Sequence, residues 1–161
     1  MRASLATLAL AALLGCPSAP EPAPLDDGVE YVFPPGDATE QEPNDAAGLA
    51  QDLGVLAAPY AVTGRSSACG DGGTWGDADP DWLSFQPATG DPLRIVLDMH
   101  GGDLDVALFD SDEELVQDGA APGLDDEALA VSLDPDRAWL LRIRCWQGRP
   151  DALWRLRIEP P

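Results

Sequence analysis

The sequence predicts an all-β fold, an antiparallel β-sandwich of eight or nine short strands. Apolar and polar residues alternate in four segments, at residues 93–98, 103–109, 139–146 and 154–159. Such alternation is typical of strands that turn one face to a core and the other to solvent. The sequence also contains 16 glycines and 16 prolines, which favour turns over long helices.

Five further segments have weaker strand patterns, and turn-forming residues separate them. These segments are residues 53–57, 60–65, 82–87, 114–117 and 128–133. Turns rich in Gly, Pro or Asp are predicted at residues 57–59, 89–92, 100–103, 134–136 and 148–150. One short helical piece is expected within residues 45–52, where Asn44 would cap the first turn. Short strands at this spacing indicate a sandwich.

The N-terminus predicts an exported lipoprotein. Arg2 supplies a positive start, and the apolar run at residues 5–14 is too short to span a bilayer but fits a signal peptide. The run ends in Leu-Leu-Gly before Cys16, which resembles the lipobox of bacterial lipoproteins, where the cysteine is acylated. Pro17 rather than Asp follows, which in such lipoproteins favours the outer membrane over the inner one. The alternative is an ordinary secretory signal with an incidental cysteine.

Three regions follow from this interpretation, and a single domain suits a chain of 161 residues. They are a signal peptide at 1–15, the lipidated cysteine with a Pro-rich tether at 16–38, and a folded domain at 39–161. The prolines of residues 17–24 predict an extended, stiff linker. The apolar residues 31–33 either dock on the domain or belong to this linker.

Charge and cysteine content restrict the function further. The chain has 29 acidic and 9 basic residues and a net charge of −20, which repels nucleic-acid phosphates. Cys69 and Cys145 remain after Cys16, and an even number in an oxidising compartment predicts a disulfide. The alternative is a pair of free or metal-binding thiols.

Two acidic, turn-forming segments predict a site for a hard cation. The first supplies Glu40, Glu42, Asn44 and Asp45, and the second supplies Asp77, Asp79 and Asp81. Calcium takes about six to eight oxygen ligands from carboxylates, amides and carbonyls, which these segments could provide. The alternative is that the same residues only form turns and helix caps.

Three motifs in order along the chain resemble those of one bacterial family. They are Glu-x-Glu-Pro-Asn-Asp at 40–45, Gly-Asp-Ala-Asp-Pro-Asp-Trp at 76–82 and Asp-Leu-Asp-Val-Ala-Leu-Phe-Asp at 103–110. The chain resembles pre-peptidase C-terminal (PPC) domains over residues 39–161. The resemblance implies a jelly-roll-like β-sandwich of a kind usually appended to secreted proteases. In collagen-binding relatives it implies calcium held by both acidic segments. The chain departs from the family in an insertion at residues 69–75 and in a tether where a protease would stand.

The sequence predicts no catalytic activity. His100 is the only histidine, and it falls in a predicted surface turn. Zinc sites built from two histidines are therefore excluded, and no Gly-x-Ser-x-Gly nucleophile elbow is present. Acidic residues are so numerous that a pair of neighbouring carboxylates is expected by chance.

Four arginines on the last two predicted strands suggest a ligand face. They are Arg142, Arg144, Arg155 and Arg157. If residues 147–151 close a hairpin, the four lie together beside Trp146 and would bind an anion or polysaccharide. The alternative is cross-strand pairing with acids such as Asp98 or Glu159.

The sequence therefore predicts a non-catalytic, envelope-anchored lipoprotein that acts as a binding or accessory module. Calcium is the expected cofactor, and a polysaccharide or protein of the cell envelope is the expected ligand. The alternatives are a structural envelope lipoprotein without a ligand, and an accessory or inhibitory partner of a secreted hydrolase.

Overall fold

The structure is a computed structural model that describes residues 31–70, 79–119 and 125–161. The signal peptide, Cys16, most of the tether and Asp77 lie outside these ranges. The described residues form eight strands: β1 (Ala38–Thr39), β2 (Gln51–Leu56), β3 (Tyr60–Ser66), β4 (Asp81–Pro87), β5 (Pro92–Phe109), β6 (Leu115–Gly119), β7 (Glu127–Ser132) and β8 (Trp139–Glu159). The predicted all-β class is confirmed.

Two long strands, β5 and β8, form the centre of the fold. The sequence pattern predicted each as two strands separated by a turn, but β5 is continuous over 18 residues and β8 over 21. They pair antiparallel from Arg94 opposite Glu159 to Phe109 opposite Leu140. The hairpin predicted at residues 147–151 is therefore wrong. The turn predicted at 100–103 is not formed, and these residues lie where the register between β5 and β8 shifts twice, with the surplus residues on β8. Such shifts bend a ladder without ending it.

The other strands pair with the two halves of these long strands. β8 contacts β4 along its first half and β3 along its second half. β5 contacts β7 along its first half and β6 along its second half. The pairs β1–β3 and β2–β4 are parallel, so the sheet is mixed and not purely antiparallel as predicted. Hydrophobic alternation shows which face of a strand is buried, but it carries no information about the direction of the neighbouring strand.

The inward faces of β4, β5 and β8 form the core. Its largest fully buried side chains include Trp154, Phe85, Leu97, Leu104 and Leu141. Burying one such side chain contributes roughly 1.5–3 kcal/mol to folding. β8 alternates on both sides of its exposed residues 147–151, with odd-numbered residues buried before them and even-numbered residues buried after them. Both halves of this strand therefore contribute one face to the core.

The disulfide predicted between Cys69 and Cys145 is present. It joins the segment after β3 to the middle of β8, and Gly102 lies beside it. A Cβ at Gly102 would be 2.8 Å from the Cys145 sulfur, so the glycine leaves room for the bond. The two cysteines are 76 residues apart in sequence. Closing a loop of this length should stabilise the fold by about 4 kcal/mol in the chain-entropy description.

The end of the predicted tether packs on the domain. The Tyr31 ring stacks on His100 with ring centroids 4.0 Å apart, so the docking alternative for residues 31–33 is the observed one. We call residues 31–37 the N-terminal arm. Asp37 N–H donates to the Ala61 carbonyl at 2.7 Å, and the Asp37 carboxylate accepts from Ala61 N–H at 2.8 Å. His100 is half-buried within β5, so the surface turn predicted for it is wrong.

The predicted helical piece is a single 3-10 turn at Ala47–Leu49, which begins after Ala46 without a side-chain cap. Asn44 is therefore not a helix cap. Within the described part of the chain, no helix has the length and apolar character needed to cross a membrane.

Candidate metal site

The two acidic segments converge at the start of β4. Carboxylate oxygens of Glu40, Glu42 and Asp81 all lie within 4.8 Å of one another, and so do those of Glu42, Asp45 and Asp79. Glu42 belongs to both groups, which makes the five carboxylates one continuous cluster. The structure thus brings together every predicted acidic ligand that it describes.

Asp81 is the buried member of this cluster. It occupies an inward position of β4, in the same alternation as Leu83 and Phe85, and its side chain is fully buried. Its Oδ2 accepts hydrogen bonds from Trp154 Nε1 at 2.8 Å and Ser66 Oγ at 3.2 Å. Its Oδ1 is buried and has no hydrogen-bond partner among the described residues. The core therefore satisfies Oδ2 with two hydrogen bonds, whereas Oδ1 receives none from the described residues.

A glycine in β3 makes the Trp154 contact possible. Gly64 is paired with Trp154 across the β3–β8 ladder. A Cβ at Gly64 would lie 2.0 Å from the indole ring. Without that Cβ, the ring can lie against Gly64 and donate its N–H to Asp81.

Asn44 connects the two acidic segments. It is fully buried, its backbone N–H donates to Glu42 Oε2 at 2.9 Å, and its carbonyl accepts from Trp82 N–H at 3.0 Å. Its Nδ2 donates to Glu40 Oε1 at 3.3 Å. The Asn44 Oδ1 has no hydrogen-bond partner in the described ranges, although it is buried. A second buried oxygen acceptor is thus unsatisfied beside the carboxylates.

Backbone amides at the end of β3 orient two further carboxylates. Arg65 N–H donates to Glu40 Oε2 at 2.8 Å, and Ser67 N–H donates to Asp79 Oδ2 at 2.5 Å. These bonds hold a residue of each acidic segment against the same strand end. The cluster is therefore built by tertiary contacts, since β3 lies between the two segments in sequence.

The cluster carries an unbalanced negative charge. Among the described residues, no arginine forms an ion pair with any of the five carboxylates. Burial and the adjacent Glu40 carboxylate raise the pKa of Asp81 from 3.8 to about 9. Burial also raises the pKa of Glu42, the Asn44 N–H opposes this rise, and the charges of Glu40 and Asp45 add to it. Either protons or an added cation must offset this repulsion.

The chemistry of the donor set fits a hard divalent cation. All potential ligands are oxygens, from carboxylates and one carboxamide, and such oxygens are preferred by calcium. When Asp81 is ionised, its Oδ1 and the Asn44 Oδ1 are both buried acceptors without a donor among the described residues, so a cation would satisfy both.

The predicted arginine face is not assembled as one surface. Arg144 lies opposite Asp105 in β5 and Arg155 lies opposite Asp98, on the two sides of the register shifts. Because β8 does not fold back, the two arginine pairs occupy its two halves. Trp146 lies beside the first pair, with the Arg144 guanidinium 5.7 Å from its ring centroid.

Cross-strand pairing, the alternative interpretation, is observed for two of these arginines. Arg144 donates to Asp105 Oδ2 from Nε at 3.0 Å and from Nη2 at 2.9 Å. Arg157 donates to both oxygens of Asp98, at 2.7 and 2.8 Å, and to Glu159 at 2.9 Å. Arg142 instead lies over the rings of its neighbours Trp82 and Phe109.

Sequence reasoning missed Trp154 and Ser66 as partners of the cluster. Both lie at inward positions of their strands, where a tryptophan or serine is expected only to pack. The signal that could have found them is Asp81 itself, a carboxylate at a core position of a strand that needs buried donors. The donors could not be assigned before the pairing of β3, β4 and β8 was known.

The fold is that of a PPC domain. The chain is similar to the crystal structure of the pre-peptidase C-terminal domain of a collagenase from Bacillus anthracis. The TM-score is 0.51 and the sequence identity 15%, over 68% of this chain and 94% of that one. The resemblance seen in the three sequence motifs is thereby confirmed at the level of the fold. No protein-family model matches the sequence. No curated protein matches it significantly.

Proposed function

We propose that the chain is a non-catalytic accessory module of PPC type, whose fold is stabilised by calcium at the acidic cluster. An acylated Cys16 would hold the module at the bacterial cell envelope, on the tether that the sequence predicts. The PPC-like fold and the lipobox-like N-terminus support these two parts of the proposal separately.

The observation that carries the calcium proposal is the buried carboxylate of Asp81. A carboxylate in the core with one oxygen unsatisfied is costly unless a positive charge compensates it. The surrounding carboxylates of Glu40 and Glu42 add to that cost. None of the arginine ion pairs among the described residues involves these groups. A divalent cation between these groups would remove the repulsion and would join the two acidic segments.

The absence of catalysis is argued from the same residues. In the ranges that the structure describes, the only groups of three carboxylates that lie close together are those that the proposed cation would bind. The ring of the single histidine, His100, is stacked on Tyr31. The module would therefore act by binding or by supporting a partner and not by turnover.

Thermal unfolding in calcium and in chelator tests this proposal. Calcium at 100 times its dissociation constant should add about 2.7 kcal/mol to the free energy of unfolding. Asp79→Asn should abolish most of this gain, because Asp79 belongs to the cluster. Asp112→Asn is the matched control, an exposed acid in a turn outside the cluster, and it should keep the full gain. An equal calcium response in both variants, or none in the wild type, would contradict the proposal.

A further inference from the structure

A second candidate site lies beneath the N-terminal arm, on the other half of β8. An open pocket of about 420 Å³ is lined by Pro35 and Asp37 of the arm, by Tyr60 of β3 and by Arg155 and Arg157 of β8. It contains none of the residues of the acidic cluster. Its walls combine proline and aromatic surfaces with charged groups.

The arm is fixed closely against β3 at this pocket. A Cβ at Gly36 would lie 2.6 Å from the Ala61 carbonyl oxygen, so the backbone of the arm is in direct contact with the strand. The two hydrogen bonds between Asp37 and Ala61 hold it there. The pocket is therefore bounded by ordered backbone on both sides.

Three of the four charged side chains in the pocket wall already have a partner. Arg157 donates to both oxygens of Asp98 and to Glu159. Glu159 also accepts from Arg94 at 3.1 Å. The Asp37 carboxylate accepts the Ala61 N–H. Arg157 and Glu159 are thus paired with opposite charges, and Asp37 has a backbone N–H as its hydrogen-bond partner.

Arg155 differs from its neighbours. Its Nε is buried and has no hydrogen-bond acceptor among the described residues, and its guanidinium forms no ion pair there. Its neighbours in the ladders are Thr63 on β3 and Asp98 on β5, and both oxygens of Asp98 accept from Arg157. Among the described residues, the N–H groups of the Arg155 guanidinium therefore have no hydrogen-bond acceptor or ion-pair partner.

We propose that this pocket binds a small organic carboxylate, of the size of a single sugar acid, with Arg155 as its anchor. A guanidinium presents parallel N–H donors that match a carboxylate, and Arg155 lines the pocket without an ion-pair partner among the described residues. The volume exceeds that of a simple ion, and Pro35 and Tyr60 offer surface for a carbon skeleton. The net charge of −20 repels anions in general, so binding here must come from the local donors.

NMR titration of the protein with glucuronate tests the proposal, with glucose as the neutral probe at the same ionic strength. Glucuronate should shift the amide signals of Tyr60 and Ala61 saturably, and glucose should not. Arg155→Gln should weaken binding about tenfold or more, because it removes charge-assisted hydrogen bonds. Arg137→Gln is the control, since this arginine is exposed and pairs with Asp110 outside the pocket.

Arg155→Lys provides a second variant if the glutamine variant fails to fold. It retains the charge but loses the planar fork, so its affinity should fall between those of the wild type and Arg155→Gln. Competition by inorganic sulfate would show that the donors accept other oxyanions as well, and it would support the site. Unchanged affinity in both Arg155 variants would overturn the proposal. So would equal shifts with glucose, or shifts confined to Asp79 and Asp81, where the sugar acid would be binding to a metal.

Discussion

Replacing Asp81 by Asn should stabilise the protein without calcium and should remove the stability that calcium adds to the wild type. Asn has nearly the shape of a protonated aspartic acid but carries no charge. Without calcium, the folded protein holds a proton on Asp81 that the unfolded chain releases at neutral pH, because burial and Glu40 raise the pKa of Asp81 to about 9. The variant removes that cost.

The size of the effect follows from the difference in pKa between the two states. The unfolded value is about 3.9, and each pH unit between it and the folded value costs about 1.36 kcal/mol. Asp81 therefore contributes stability that is complete below pH 4 and is lost as the pH rises towards 9. At pH 7 the loss amounts to about 4 kcal/mol, which is an upper limit because the amide of Asn must also be buried.

Urea unfolding followed by tryptophan fluorescence would measure this change. In chelator, the wild type should become more stable from pH 8 to pH 5, and Asp81→Asn should respond less to pH and be more stable than the wild type at pH 7. In calcium, the variant should lose the calcium-dependent gain, because the cation loses a charged ligand. A variant that is less stable than the wild type in chelator, or that keeps the calcium gain, would refute the reasoning.

Two further predictions concern packing and ion pairs elsewhere in the domain. Gly64→Ala should destabilise the fold by about 1–3 kcal/mol, since its Cβ would overlap the Trp154 ring. Gly48→Ala, whose Cβ meets nothing within 4 Å, should be nearly neutral in the same urea titration. Arg144→Gln should cost about 3–5 kcal/mol, because it leaves its buried aspartate partner without a cation. Arg137→Gln, which breaks an exposed pair, should cost less than about 1 kcal/mol. Equal losses within either pair of variants would contradict these assignments.

The strand pattern was sufficient to predict the fold class. It did not show that β5 and β8 are each one continuous strand and not two. Residues 93–98 and 103–109 both alternate, and the glycines between them indicated a turn. In the structure Gly101 has a φ of 89° and lies at a register shift within β5. Glycine marks both turns and bulges, so the local sequence could not distinguish a chain reversal from a bend. The same ambiguity produced the incorrect hairpin in β8.

The sequence predicted which residues form the acidic cluster, but not how they are buried and hydrogen-bonded. The sequence motifs identified Glu40, Glu42, Asp45, Asp79 and Asp81 as neighbours. They did not show that Asp81 would be buried beneath the others, or that Trp154 would donate to it. These contacts depend on strands that are distant in sequence, and their register is set by the whole core.

The sequence by itself determined the all-β class, the buried faces of the strands, the disulfide pairing and the convergence of the two acidic segments. The strand class and the acidic segments can be predicted because they depend on the type and spacing of neighbouring residues. The disulfide can be predicted because only two cysteines remain after Cys16. The tertiary structure alone decided that the two longest strands are continuous, that β1 and β2 run parallel to their neighbours, and that the arginines lie apart. It also left Asp81 and Arg155 with unused hydrogen-bonding groups. The reason is physical: the partners of a buried charge are selected by the packing of strands that the chain brings together only when it folds.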